Sequence, residues 1–284
     1  MTGTLFVVAT PIGNLEDITL RALRVLREVQ LIAAEDTRRT AKLLNHFTIA
    51  TPTTSFHEHN RHARVPVLLV RLREGASIAL VSDAGTPLVS DPGLDLVQAC
   101  LAEGIPVDAV PGASAPLTLG VLSGFPMYPM TVLGFSPHRS SDRRSWLQGV
   151  AGVEHAVTFF ESPHRVRATL DDIAAVCGDR PVCVGRELTK MHQQVLRGTA
   201  RELLALDFPE KGEFTVMLGP APRLVEAPVS ADDAGLLTEF REMTHSGGLA
   251  RREGLRVLAQ RHGLSQREVF AALERAKQES VNDV

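Results

Sequence analysis

Between Ile78 and Gly93 the chain reads IALVSDAGTPLVSDPG, which predicts a strand, a long loop and a helix in succession. Ile78-Ala79-Leu80-Val81 is an apolar run of buried-strand length, and helical spacing resumes only at Leu94. The twelve intervening residues are rich in Gly, Pro, Ser and Asp, and the loop exceeds the roughly 2–6 residues usual between a strand and its helix. Open α/β sheets place ligand crevices beyond the carboxyl ends of their strands, so this loop is a candidate binding element. Gly85 and Gly93 let a ligand approach the backbone, and Pro87 and Pro92 stiffen the turn. Asp83 and Asp91 supply carboxylates for a cationic or hydroxyl-bearing ligand.

The same alternation runs through the first half. Leu5–Ala9 reads as a strand followed by the loop Thr10–Asn14, and Thr19–Val29 as a helix with Leu20, Leu23, Val25 and Leu26 on one face. Leu31–Ala34 is a second strand, ended by Glu35-Asp36-Thr37-Arg38-Arg39, and a third is expected near Thr51–Phe56. The segment His57-Glu58-His59-Asn60-Arg61-His62 follows, then a helix over Val65–Leu72. Val107–Val110 is the next strand, with Pro111–Ser114 and an apolar helix from Ala115 behind it. Strands alternating with helices predict a mainly parallel sheet.

After the Gly124–Pro129 break the rhythm restarts at Thr131–Gly134. Ser136–Arg144 (SPHRSSDRR) reads as a polar, basic hinge loop between two halves. Strands are expected over Ala156–Phe160 and Val182–Arg186, a helix over Pro163–Val176, and an antiparallel set at Gln194–Arg197 and Glu213–Leu218. The proline-rich run Gly219–Ser230 reads as a linker. Domains are therefore expected at 1–129 and 130–220, with a linker over 221–230 and a helical tail over 231–284.

That tail shows three helical patterns, broken at Ser246-Gly247-Gly248 and at His262–Ser265, and Ser265 with Glu268 spells a capping box. From Leu249 to Lys277 it carries seven Lys/Arg against three Glu, a local excess of four in a chain of net charge −3. Such a bundle resembles helix-turn-helix modules and suits a phosphate backbone. Cys100, Cys177 and Cys183 form no CxxC pair, which fits a reducing compartment. The N-terminal run is too short and uncharged for a signal peptide or membrane span, so no membrane is expected and the cytoplasm is the expected location.

No GxGxxG, GxxxxGK[ST] or GxSxG motif is present, which argues against dinucleotide, P-loop and serine-hydrolase chemistry. HEHNRH lacks the HExxH register, because position 61 is arginine, so no metal site is expected. What remains is a set of strand-end loops, rich in Gly and backbone donors, that would converge on one crevice for a small polar ligand and an anionic substrate.

The series TPIGNLEDIT, AEDTRRTAKLL, FHEHN, SDAGTPLVSDPG, VPGAS, FFESPHR, GRELTK and KGEFTV, in this order and spacing, resembles the tetrapyrrole methylase superfamily. More narrowly it resembles the branch that methylates small-subunit (16S) ribosomal RNA. The resemblance implies an α/β, two-lobed fold, with a mainly parallel sheet in the first lobe, a mixed sheet in the second and a small C-terminal helical module. It also implies S-adenosylmethionine as methyl donor and the ribose 2′-hydroxyl of a decoding-region cytidine as acceptor. Free rRNA or the assembled small ribosomal subunit would be the partner, and a homodimer the assembly. By the same resemblance the cofactor is held by Pro11, Ile12, Gly13, Asp83, Gly85, Thr86, Ala113, Ser114 and Ala115, with Phe160, Phe214 and Thr215 from the second lobe.

A hydroxyl must lose its proton to attack, so a base or cation is expected nearby: Glu35, Asp36, His57, Glu161, Glu187 or Lys190. Arg38, Arg165 and Arg186 are the candidate phosphate or ribose clamps. After GRELTK the run Met191-His192-Gln193-Gln194 carries amides where the resemblance implies carboxylates. The competing expectations are a tetrapyrrole C-methyltransferase, disfavoured by the basic tail and SPHRSSDRR, and a non-enzymatic nucleic-acid-binding regulator.

Overall fold

The computed structural model describes residues 2–221, 232–246 and 248–282, and divides into two compact units, Met1–Ala221 and Pro222–Val284. Apart from Ala221, the linker expected over 221–230 lies outside the described residues.

The first lobe of the larger unit is built on β1 (Leu5–Val8), β2 (Leu31–Ala34), β3 (Thr53–Ser55), β4 (Ile78–Val81) and β5 (Val107–Val110). Its helices are α1 (Leu20–Glu28), α2 (Thr37–His46), α3 (Arg61–Arg73), α4 (Leu94–Ala102) and α5 (Ala115–Ser123). The strands are all parallel, in the order β3-β2-β4-β1-β5. Alternate side chains feed the two faces. Leu31, Ala33, Ile78 and Leu80 join one core with Phe56, Leu68, Leu72 and Leu96, whereas Ile32, Ala34, Ala79 and Val81 join another with Ala22, Val25 and Leu26. Both faces are covered by helices, so every carboxyl-end loop is driven to one edge.

The second lobe adds β6 (Met130–Phe135), α6 (Ser140–Ala151), β7 (Ala156–Glu161), α7 (Val166–Val176), β8 (Pro181–Arg186), β9 (Gln194–Thr199), α8 (Ala200–Leu204) and β10 (Phe214–Leu218). Its sheet runs β6-β7-β10-β8-β9, with β6 and β7 parallel and the other pairs antiparallel. Ile12 of the first lobe and Leu119 of α5 pack with Ala156, Cys183, Leu188 and Met217, a small core that joins the lobes. The C-terminal unit contains α9 (Asp233–Arg241), α10 (Arg251–His262) and α11 (Gln266–Asn282) around Leu236, Phe240, Leu258, Val269 and Leu273. Both halves of its capping box form, Ser265 N to Glu268 Oε2 at 2.7 Å and Glu268 N to Ser265 Oγ at 3.2 Å.

Four expectations are corrected. Helix α3 begins at Arg61 and carries Pro66 internally, because Asn60 O accepts from both Ala63 N and Arg64 N and secures the turn before the proline. Leu20 is exposed, since the buried face of α1 is Ala22, Val25 and Leu26. Helix α7 starts at Val166, after Pro163.

The fourth concerns SPHRSSDRR, whose second half is the first turn of α6 rather than a loop. There Asp172 accepts from Arg143 Nε at 2.8 Å, Arg144 Nε at 2.5 Å and Ser140 Oγ at 3.2 Å. Arg143 is only 3% exposed, so it ties α6 to α7 and offers no phosphate-binding surface. Burial pushes the Asp172 carboxyl up, but hydrogen bonds from Arg144 and Arg143 outweigh it and hold the group below its ordinary range.

Candidate active site

The loops after β1 and β4 are sewn together before any ligand arrives. Thr10 N donates to Gly85 O at 2.9 Å and Gly85 N to Thr10 O at 3.0 Å, while Thr10 Oγ1 donates to Ser82 O at 3.2 Å. Gly85 has φ of 80°, a left-handed conformation, and a Cβ there would press on Ile12. From β2, Glu35 Oε2 accepts from Asp83 N at 3.2 Å and Asp83 Oδ1 accepts from Asp36 N at 3.0 Å, so the two carboxylates lock their loops reciprocally.

The second lobe closes over this edge with Glu187–Gln193. Glu187 and Thr189 hold φ of 51° and 66°, non-glycine residues in left-handed backbone. Thr189 Oγ1 accepts from Asn14 N of the first lobe at 3.1 Å. Gln193 Oε1 accepts from Thr189 N at 2.7 Å, and Gln194 Oε1 from Arg186 Nη1 at 3.1 Å, so these amides serve as loop braces. Gln193→Ala is expected to remove about 1 kcal/mol from this brace and weaken cofactor binding roughly fivefold, with Gln193→Glu restoring most of it, as calorimetry can check.

Between the lobes lies a cavity of about 450 Å³. Of the expected cofactor residues, Ile12, Asp83, Gly85, Thr86, Ser114, Ala115, Phe160, Phe214 and Thr215 line it. Pro11, Gly13 and Ala113 are not in the lining, and the Ala113 carbonyl accepts from Thr86 Oγ1 at 3.3 Å. Five acidic residues line the space, Glu35, Asp83, Asp91, Glu161 and Glu213, and among the described residues lining it there is no Lys, Arg or His. Burial pushes the Glu35 carboxyl up, and burial with the nearby Glu35 pushes Asp91 up to about 6.

The expected catalytic residues divide. Glu35 and Glu161 line the cavity, but Glu161 is saturated. It accepts from Ser136 Oγ, from Thr169 Oγ1 at 2.5 Å and from Ser162 N at 2.7 Å, and pairs with Arg165 Nη2 at 2.7 Å. Asp36 caps α2 through Arg38 N at 2.8 Å, and the Arg38 side chain holds its carboxyl at about 2. His57 N donates to Asn60 Oδ1 at 2.9 Å at the entry to α3, away from the cavity wall. Lys190 Nζ pairs with Glu187 at 2.8 Å and Glu213 at 3.2 Å. Burial lowers its ammonium pKa, but these partners outweigh that and leave it above the ordinary range.

Of the three arginines, Arg38 is exposed and paired with Asp36 at 2.9 Å. Arg165 spends its donors on Glu161, Ser162 Oγ at 3.0 Å and Ser136 O at 3.4 Å. Arg186 donates to Lys211 O at 2.7 Å and Gln194 Oε1 at 3.1 Å. Neither Arg165 nor Arg186 lines the cavity. Sequence reasoning passed over Phe135 and Leu188 as site residues, whereas Asp91 was expected, with Asp83, to offer a carboxylate to a ligand. The repeated Ser-Asp pair, at 82–83 and 90–91 of one loop, was the available signal for Asp91. Among the described residues no group of three His, Cys, Asp or Glu could hold a metal ion, and no helix is long and apolar enough to cross a membrane.

Residues 4–204 match the model of the family Tetrapyrrole (Corrin/Porphyrin) Methylases. A protein named ribosomal RNA small subunit methyltransferase I from Halalkalibacterium halodurans is 42% identical over 270 residues, covering 94% of this chain and 93% of the relative. One of the same name from Thermotoga maritima is 49% identical over 219 residues, covering 76% of this chain and 98% of the relative. Among solved structures, uroporphyrin-III C-methyltransferase from Thermus thermophilus in complex with S-adenosylhomocysteine superposes with a TM-score of 0.53 at 18% identity, covering 78% of this chain and 99% of that one.

Proposed function

Because the chain belongs to the tetrapyrrole (corrin/porphyrin) methylase family, we propose that it transfers a methyl group from S-adenosylmethionine to the ribose 2′-hydroxyl of a cytidine in the decoding region of small-subunit rRNA. The relatives named ribosomal RNA small subunit methyltransferase I support the RNA as substrate class. The observation that carries the reading is the acid-lined, cation-free cavity. S-adenosylmethionine brings an electrophilic methyl on a sulfonium and carries an ammonium group. Acidic residues in a lining without Lys, Arg or His suit both charges, and Ala84, Gly85 and Ala115 leave room for the adenosyl group. A carboxylate-bearing tetrapyrrole would meet an acidic wall with no cation in its lining, which disfavours the C-methyltransferase alternative.

In this reading the chain's own residues do the positioning. Asp83 and Glu35, each fixed by the other's loop, hold the cationic end. Phe160 and Thr215 hold the donor from the second lobe, and the interlocked loops exclude water. RNA contacts fall to exposed cations outside the cavity, Arg38 in the first lobe and Arg251, Arg252 and Arg267 in the C-terminal unit. Lobes 1–129 and 130–220 carry the chemistry, and the module 231–284 docks the RNA. A homodimer would cover Leu117 and Val121, exposed one turn apart on α5. The three free cysteines fit the cytoplasm, where the substrate resides.

Incubation with methyl-labelled donor and small subunits from cells lacking the activity should place the label in 2′-O-methylcytidine of the decoding region. Donor binding without transfer to any small subunit would overturn the reading. Subunit affinity should fall steeply with salt, log K dropping by roughly 0.7–0.9 per phosphate neutralised for each tenfold rise.

A further inference from the structure

Asp91 differs from the other four acids of the cavity. Glu161 has its four donors, Asp83 accepts from Asp36 N at 3.0 Å and faces Arg39 at 3.4 Å, and Glu213 pairs with Lys190 at 3.2 Å. Glu35 is committed to the Asp83 N–H at 3.2 Å. Asp91 makes no ion pair among the described residues, and the Ser82 hydroxyl lies beside it.

Its backbone is also set deliberately. Leu88 and Ser90, on either side of Val89, hold φ of 73° and 72°, a conformation that costs a non-glycine residue free energy and so has to be imposed by its surroundings. Ser90 is wedged against β6, where a Cβ on Gly134 would fall 2.9 Å from its Oγ. Asp91 is thereby held at the seam of the lobes, near Phe135, the residue after Gly134. Phe135 lines the cavity yet is 58% exposed, and its ring lies 5.3 Å from that of Phe160. An exposed ring at the mouth of a cavity is a stacking surface for an unpaired nucleobase, and the ribose attached to that base would reach inward.

We propose that the Asp91 carboxylate takes the proton of the ribose 2′-hydroxyl as that oxygen attacks the donated methyl, an assignment that rests on the methyl-transfer reading above. The O–C bond forms as the C–S bond breaks, and the bonding pair stays on sulfur, which becomes a neutral thioether. The proton ends on Asp91 and leaves to water after release. A proton acceptor poised near the working pH serves this step best, and burial beside Glu35 and Asp83, opposed by the Ser82 hydroxyl, holds Asp91 at about 6. The Arg39 guanidinium is engaged by Asp83 and is the cation on that side.

The test uses the full chain, small ribosomal subunits and single-turnover transfer. Asp91→Asn keeps shape and hydrogen bonding, so donor affinity by calorimetry should stay within about threefold while transfer slows by roughly 10²- to 10⁴-fold. Wild-type rate should level off above an acid limb at or below pH 6, whereas the residual Asp91→Asn rate should climb about tenfold per pH unit as hydroxide takes over. Formate should restore part of the rate of Asp91→Ala. Independently of activity, NMR titration of carboxyl carbons should show a signal moving near pH 6 that is absent from Asp91→Asn. Transfer by Asp91→Asn within threefold of wild type with the same profile, or an Asp91 carboxyl titrating in the ordinary range, would overturn the proposal. If the wild type binds donor and transfers nothing, the methyl-transfer reading fails first and takes this proposal with it.

Discussion

Gly13→Val is expected to weaken S-adenosylmethionine binding and methyl transfer by about 100-fold, roughly 2.7 kcal/mol, while leaving each lobe folded. Gly13 sits in the turn after β1 where the second lobe comes down on it. A Cβ there would run into Lys190 Cγ and lie 2.9 Å from both Leu188 O and Thr189 Oγ1. All three neighbours belong to a loop held in left-handed backbone at Glu187 and Thr189, so it has little freedom to yield. Valine adds further methyls to the same space. Nearby, Ile12 and Leu188 both line the cavity and share the core that joins the lobes. Pushing the two loops apart would open the cavity without touching either lobe's own core.

Gly149→Ala is the matching control. It lies in α6, and a Cβ there meets nothing within 4 Å. That substitution should leave donor binding unchanged and raise stability by up to about 1 kcal/mol through helix propensity. Donor affinity of Gly13→Val within threefold of wild type, measured by calorimetry, would show that the lobes are not interlocked at this turn.

Much of this was legible before any coordinates. Strand-length apolar runs such as Ile78–Val81, each followed by a glycine- and proline-bearing loop and a helix, leave a parallel sheet with its loops on one edge as the economical arrangement, and the cavity is found there. The glycines and small residues of the loops marked the lining because a buried ligand needs close backbone approach. Charged residues were harder to read. Arg143, Arg165 and Arg186 look in sequence like free cations, and only three-dimensional neighbours such as Asp172, Glu161 and the Lys211 carbonyl show that their donors are already used. Helix α6 was hidden because Ser140-Ser141-Asp142 has the composition of a loop, while what stabilises the helix is packing of Leu147 and Val150 on the second sheet. Gln193 and Gln194 gave no local hint either, since a bracing amide differs from a missing carboxylate only by what it faces.

The largest expected loss of stability comes from Arg180→Ala. Arg180 is 1% exposed, and among the described residues it pairs with no carboxylate. Its fork instead donates to three carbonyls: Nε to Gly219 O at 2.7 Å, Nη1 to Val150 O at 2.8 Å and Nη2 to His155 O at 2.8 Å. These belong to three separate pieces of the second lobe: the end of α6, the approach to β7 and the exit from β10. Val150 lies in the last turn of α6, where carbonyls lack helical partners and the helix dipole favours a cation. Burial lowers the Arg180 pKa, yet a guanidinium stays protonated across the working range, so its charge is buried for good. Removing it leaves a void and three unsatisfied carbonyls, an expected cost of about 3–5 kcal/mol. For a unit of this size that corresponds to a Tm lower by roughly 10 °C. Arg180→Lys should recover less than half, because one ammonium cannot span three acceptors arranged for a planar fork. Trp146, the only tryptophan in the chain, packs edge-on against Phe159 at 5.1 Å and makes fluorescence a direct reporter of this lobe during urea unfolding. A shift below about 1 kcal/mol in Arg180→Ala would mean that water satisfies the three carbonyls and that the arginine is not what holds the pieces together.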